Sequence, residues 1–167
     1  AASGPARGGG AGPGVARVLS VRLGCTPRSG KERQSEYFVP RRNAVEAILA
    51  VERLRAHVSP QLMISELRTS DADQLWMSPC YEQASLAIHF TWKPDWESVR
   101  KVLPMIEREL DPFTVRPHWG KLFTLAPAQL RRRYAKCEEF KKLLGQYDPQ
   151  GKFRNEFLTA NLYRRTT

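Results

Sequence analysis

The sequence predicts an α+β fold, with an antiparallel or mixed sheet covered by helices on one face. Three observations carry that reading. Two segments, 61–69 and 85–92, alternate in character with period two, as strands do. The segment 95–110 repeats its apolar residues at helical spacing. The order of elements is strand, strand, helix, strand, strand, helix, strand, helix, which suits a sheet with helices laid on one side.

In chain order, residues 1 to 14 are Gly, Ala and Pro with one Arg, apart from Ser3. They hold too little apolar surface to offset ordering entropy, so disorder is expected. A strand is expected over 15–23 and a turn over 24–33. Ser35 to Val39 reads as a second strand, stopped by Pro40. Asn43 with Glu46 predicts a capped helix to about His57, with Val45, Ile48 and Leu49 as its apolar stripe.

In strand 61–69, alternation places Leu62, Ile64, Glu66 and Arg68 on one face. Apolar neighbours beside a charge pair suggest that this face is partly covered. Asp71 to Gln83 reads as a loop. In strand 85–92, Leu86, Ile88, Phe90 and Trp92 face a core, while Ser85, Ala87, His89 and Thr91 form a small polar face. Asp95 caps the next helix, and a kink is expected at Pro104. A short strand then leads into Arg116-Pro117-His118-Trp119-Gly120-Lys121. There a titratable ring and a fixed positive charge stand side by side. Pro127 opens a helix expected to run to Leu144 and stop at Gly145. Asp148-Pro149-Gln150-Gly151 is a turn, and Phe153, Phe157 and Leu158 anchor a short terminal element.

The chain has 167 residues, 41% hydrophobic and 26% charged, which is ordinary globular composition. Its net charge of +10 raises the question of nucleic acid. Acidic Glu138 and Glu139 interrupt the densest basic cluster, and no recognition motif accompanies it, so no nucleic-acid partner is expected. Cys25, Cys80 and Cys137 are widely spaced and form no metal or disulfide pattern. They fit a reducing compartment, and a cytoplasmic location is expected. No apolar run approaches a membrane span.

Glu66, Arg68, His89, Thr91, His118 and Lys121 converge as one constellation: a carboxylate, two permanent cations, a hydroxyl and two imidazoles. Such a set grips a polyol, because carboxylates accept hydroxyl hydrogens and Arg and Lys donate to hydroxyl oxygens.

Glu66-Leu67-Arg68, His89-Phe90-Thr91-Trp92, the hexapeptide 116–121 and the 148–153 turn together resemble the C-terminal half of the sugar-alcohol and aldonolactone oxidases. These are FAD enzymes of the vanillyl-alcohol-oxidase type. Gln34-Ser35-Glu36-Tyr37 and Trp76-Met77-Ser78-Pro79-Cys80-Tyr81 favour the alditol-oxidising branch. The resemblance implies a substrate-binding cap domain over 15–125 and a helical segment over 126–167 that packs near the FAD domain. It implies that Glu66, Arg68, Thr91 and Lys121 bind the polyol's first hydroxyls, that His89 lines the cavity and that His118 lies beside the flavin. Arg68, Lys121 and His118 carry the catalytic expectation, with His118, His89 or Glu66 as the base. The implied reaction oxidises a terminal hydroxyl of alditols such as xylitol or sorbitol, with O2 as acceptor and H2O2 as product. Aldonolactone oxidation is the alternative within the family, and a truncated, non-catalytic product the alternative outside it. The family's main FAD-binding domain is absent from these residues, so activity is expected to need it from the parent protein or a partner chain. By themselves they are expected to hold no flavin.

Overall fold

In the computed structural model, residues 32–163 are described. The expected disorder over 1–14 and strand over 15–23 lie outside them. Four antiparallel strands, β1 (Arg33–Pro40), β2 (Leu62–Ser70), β3 (Ser85–Trp92) and β4 (Arg116–Pro117), form one sheet in the order β2-β3-β1-β4. The α+β expectation holds, with the sheet antiparallel.

The core lies between one sheet face and helices α1 (Ala44–Glu52) and α3 (Trp96–Leu110). Tyr37 and Val39 of β1 and Leu86, Ile88, Phe90 and Trp92 of β3 supply the sheet's share. Val99, Leu103, Ile106 and Leu110 supply the share from α3, at the spacing the sequence shows. Asp95 caps α3 by accepting from Ser98 N at 3.1 Å. The helix continues through Pro104.

Several local expectations are corrected. Asn43 makes no side-chain cap bond, and α1 ends at Glu52, with a separate turn of helix, α2 (Arg55–Val58), after it. Val45 and Leu49 point outward, at 65% and 55% exposure. The inward face is Ala47 and Ala50, with Ala44, Ile48 and Val51 partly buried beside them. Small residues let the helix sit close to the sheet. Trp96, the first apolar residue of the helical repeat in 95–110, is 37% exposed and not part of the core, and Arg33 lies over its ring. The long helix expected after Pro127 is two helices, α4 (Pro127–Arg133) and α5 (Cys137–Tyr147), split at extended Tyr134. Gly145 lies inside α5 and stops nothing. The expected turn forms: Gly151 N donates to Asp148 O at 3.0 Å, and Gly151 takes the positive φ of 69° that glycine favours. A short helix, α6 (Glu156–Leu158), follows, with Asn155 accepting from Leu158 N.

A carboxyl group is buried on the helix side. Glu107 of α3 accepts from Tyr37 Oη at 2.8 Å and from Thr124 N and Oγ1, both at 2.6 Å. Burial outweighs these donors and pushes its carboxyl up. A carboxyl raised in the folded state contributes stability that is present below its unfolded pKa. That stability is lost as pH rises through the folded value. Stability should therefore decline from this group as pH rises from about 4, where an unfolded glutamate titrates. Glu107→Gln keeps an acceptor for Tyr37 and cannot ionise, so it should flatten this slope. Thermal melts across the weakly acidic range check it; an unchanged slope in the variant would assign the dependence elsewhere.

Candidate functional site

The sheet face opposite the core carries the candidate site. Register across β1, β3 and β2 lines up Glu36, His89 and Glu66 in one row. Gln34, Thr91 and Ile64 form the next row on one side. Phe38, Ala87 and Arg68 form the row on the other. Cross-strand neighbours share a face, so the row brings two carboxylates to either side of an imidazole.

The pairing corrects one face assignment. The ladder shifts between Leu62 and Ile64, with Leu62 opposite Trp92 and Ile64 opposite Thr91. Met63 is the extra residue of a bulge, which turns Leu62 to the core while Ile64 stays with Glu66. The expected partial cover is uneven among the described residues: Glu36, His89 and Thr91 on β1 and β3 are buried, whereas Ile64, Glu66 and Arg68 on the edge strand β2 are exposed.

Glu36 stands in the quoted motif Gln34-Ser35-Glu36-Tyr37 but not among the candidate site residues, yet it is the centre of the cluster. It is 5% exposed. Lys121 Nζ donates to its Oε2 at 2.6 Å, and Arg68 Nη1 to its Oε1 at 3.2 Å. Arg68 also contacts Glu66. The cluster thus has two carboxylates where the sequence reading counted one.

Chain folding explains how Lys121 arrives there from 85 residues away. Pro117 pairs with Tyr37 at the end of β4, and His118 N then donates to Glu36 O at 2.9 Å. Lys121 N closes a turn on His118 O, and Leu122 N returns to Gln34 O at 2.8 Å. The hexapeptide is therefore stitched along β1 on both sides of Glu36. Trp119 anchors it from outside, donating to Met77 O at 3.1 Å and packing on Tyr134 at 4.7 Å. Tyr134 Oη donates to Pro117 O at 2.6 Å. Gly120 gives its N–H to His118 Nδ1 at 3.0 Å, and a Cβ there would meet only the His118 ring.

The two imidazoles differ. His118 Nδ1 is occupied as an acceptor, so in the neutral ring the proton sits on Nε2. Burial first, then Lys121, pushes its pKa down. His89 is 4% exposed and is also pushed down, by burial first and then by Lys121. Its Nδ1 lies 3.1 Å from Glu66 Oε2 but out of line for a hydrogen bond. Among the described residues it is the one buried side-chain nitrogen or oxygen with no hydrogen-bond partner. Such an atom is costly unless something completes it. Thr91 sits beside it on the same face, 8% exposed. A cleft of about 410 Å³ adjoins the cluster at Lys121, lined also by Gln34, Trp119, Gly120, Leu122 and Phe157. The partly exposed charged groups of Arg68, Glu66 and Lys121, with the Nε2–H of His118 as a further donor, fit a polar, hydroxyl-bearing ligand. No group of three or more His, Cys, Asp or Glu side chains among the described residues is placed to hold a metal ion. No helix among them is long and apolar enough to cross a membrane.

A protein-family model described as D-arabinono-1,4-lactone oxidase matches residues 15–161. The chain is 45% identical over 147 residues to an alditol oxidase from a Streptomyces strain, covering 88% of this chain and 35% of that protein. It is 30% identical over 141 residues to an L-gulono-1,4-lactone dehydrogenase of Mycobacterium tuberculosis, covering 83% of this chain and 32% of the relative. An L-gulonolactone oxidase of Scyliorhinus torazame is 29% identical over 101 residues, covering 59% of this chain and 23% of the relative. The chain spans about a third of the length of the first two of these curated relatives. These matches bear out the resemblance carried by the motifs.

Proposed function

The chain belongs to the D-arabinono-1,4-lactone oxidase family, and from that premise we propose that it forms the substrate side of an FAD-dependent oxidase acting on alditols. The carrying observation is the convergence of Lys121, Arg68, Glu66 and Thr91 on one sheet face, in a chain 45% identical to an alditol oxidase. FAD, when bound, supplies the acceptor for the two electrons, with O2 as final acceptor and H2O2 as product. Its main binding domain comes from elsewhere in the protein or from a partner chain. We assign 15–125 to the substrate-binding domain and 126–167 to a helical segment facing the FAD domain. The buried free thiols of Cys80 and Cys137 suit a cytoplasmic setting.

In this reading Glu66 accepts hydroxyl hydrogens of the chain-like substrate. Lys121 and Arg68 donate to the reacting oxygen and hold charge as its proton leaves. Thr91 adds one neutral hydrogen bond. His118, with its proton on Nε2, lies beside the flavin as a donor and not as the base, because its Nδ1 lone pair is taken by Gly120. The base role passes to His89 and Glu66, whose facing atoms are 3.1 Å apart.

The test is peroxide release from xylitol by the FAD-loaded protein carrying this chain, beside D-arabinono-1,4-lactone as rival substrate. Turnover of the lactone with none of any alditol would move the reading to the lactone branch. Thr91→Ala is expected to cost about 1 kcal/mol in kcat/KM for xylitol, roughly fivefold, since one neutral hydrogen bond is lost. Complete loss of activity in a folded Thr91→Ala protein would overturn its minor role.

A further inference from the structure

Lys121 and Arg68 are the kind of pair that holds a carboxylate: two cationic donors aimed at two oxygens of one group. Here they already hold one. Oε2 of Glu36 takes Lys121 and Oε1 takes Arg68. The carboxylate is almost wholly buried, its side chain 6% exposed, so water screens it little. Counting the cluster, Glu36 and Glu66 give −2 and Arg68 and Lys121 give +2, a sum of zero. His89 and His118 add nothing to that sum, since burial favours their neutral forms.

Resting on the reading that the substrate is a polyol, we propose that Glu36 is a specificity-determining residue. As the built-in carboxylate of a charge-balanced site, it lets an uncharged polyhydroxyl chain bind and turns away the corresponding aldonate. A hydroxyl oxygen can share Lys121 and Arg68 with Glu36, because it brings no net charge. An aldonate carboxylate cannot, because it would stand beside two fixed carboxylates with their cations already engaged. Removing the charge of Glu36 frees the cations and leaves the cluster at +1. The site then has the composition of a carboxylate clamp. The same contacts make Glu36 a positioning residue for Lys121 and Arg68, yet positioning alone predicts a different outcome. A merely structural Glu36 would weaken xylitol and xylonate together when replaced; a charge-selecting one moves them in opposite directions.

The experiment is calorimetric titration of the full FAD-loaded protein, reduced and anaerobic so that no turnover occurs, with xylitol and with xylonate. Wild type is expected to bind xylonate at least about tenfold more weakly than xylitol. Glu36→Gln, which keeps the shape and removes the charge, should lower that ratio by about tenfold or more, with xylonate binding tighter than in wild type. Glu36→Asp, which keeps the charge, should still reject xylonate even if xylitol weakens. A ratio unmoved by Glu36→Gln overturns the proposal. Should Glu36→Gln not fold, the wild type decides alone: xylonate bound within about twofold of xylitol overturns it. Failure of the wild type to bind xylitol at all sinks the polyol reading instead. The change in xylonate affinity between wild type and Glu36→Gln then still judges whether Glu36 excludes anions.

Discussion

Lys121→Ala is expected to lower turnover of xylitol by the FAD-loaded protein by about a hundredfold to a thousandfold, or roughly 3–4 kcal/mol, the worth of one oxyanion donor in a preorganised site. The effect should fall on kcat more than on KM, because the contact strengthens as the hydroxyl loses its proton. Two features support so large a value. Lys121 is mostly buried, its side chain 17% exposed, and its ammonium is fixed on Glu36 at 2.6 Å, so little reorganisation is needed as charge develops. The same bond brings a second consequence. Without Lys121, the carboxylate of Glu36 keeps only the longer contact to Arg68, and an under-satisfied buried acceptor costs about 1–3 kcal/mol of stability. Circular dichroism of the variant must therefore accompany the kinetics. A folded Lys121→Ala protein with near-normal kcat would return Lys121 to a structural partner of Glu36.

The centrality of Glu36 shows where reading by sequence reaches its limit. The pattern in β1 is plain once faces are assigned: Gln34, Glu36 and Phe38 alternate with Ser35, Tyr37 and Val39. The sequence does not say which row of β3 that face meets. Only pairing places Glu36 beside His89, and only the return of the chain at Leu122 brings Lys121 over it. Glu66, Arg68, His89 and Thr91 were legible because each lies in a segment whose own alternation separates core from polar face. Leu62 was misread because a bulge is a property of two strands and leaves no mark on one. The split between α4 and α5 has the same origin. Residues 127–144 keep helical spacing throughout, but Tyr134 leaves the helix to place its hydroxyl on Pro117 O, and that tertiary bond overrides local preference. In α1, periodicity was right and the face wrong, because small alanines, not the larger Val45 and Leu49, fit against the sheet.

Replacing Trp92 by alanine should be the most damaging single change to the fold. Trp92 is fully buried, stacks on Phe90 with ring centroids 5.1 Å apart and donates from Nε1 to Ser35 Oγ at 2.9 Å. It sits at the end of β3 and pairs with Arg33 of β1 and Leu62 of β2, so it fills the corner where both neighbouring strands meet the core. Truncation removes the ring's transfer energy, leaves a cavity and strands the Ser35 hydroxyl. Aromatic-to-alanine changes of this kind cost about 3–5 kcal/mol, against a total of about 5–15 kcal/mol for a domain. Urea unfolding should show a lower midpoint at unchanged slope, which separates lost stability from a changed denatured state. Trp76→Ala is the comparison, since Trp76 is 41% exposed and outside the core clusters. Its cost should stay within about 1 kcal/mol. The consequence reaches the site, because Thr91 and His89 are the residues next in line on β3 and share its ladder with β1. If Trp92→Ala lost no more than Trp76→Ala, the core would not lie where β1, β2 and β3 meet, and the platform under Glu36 and His89 would have to be held by something else.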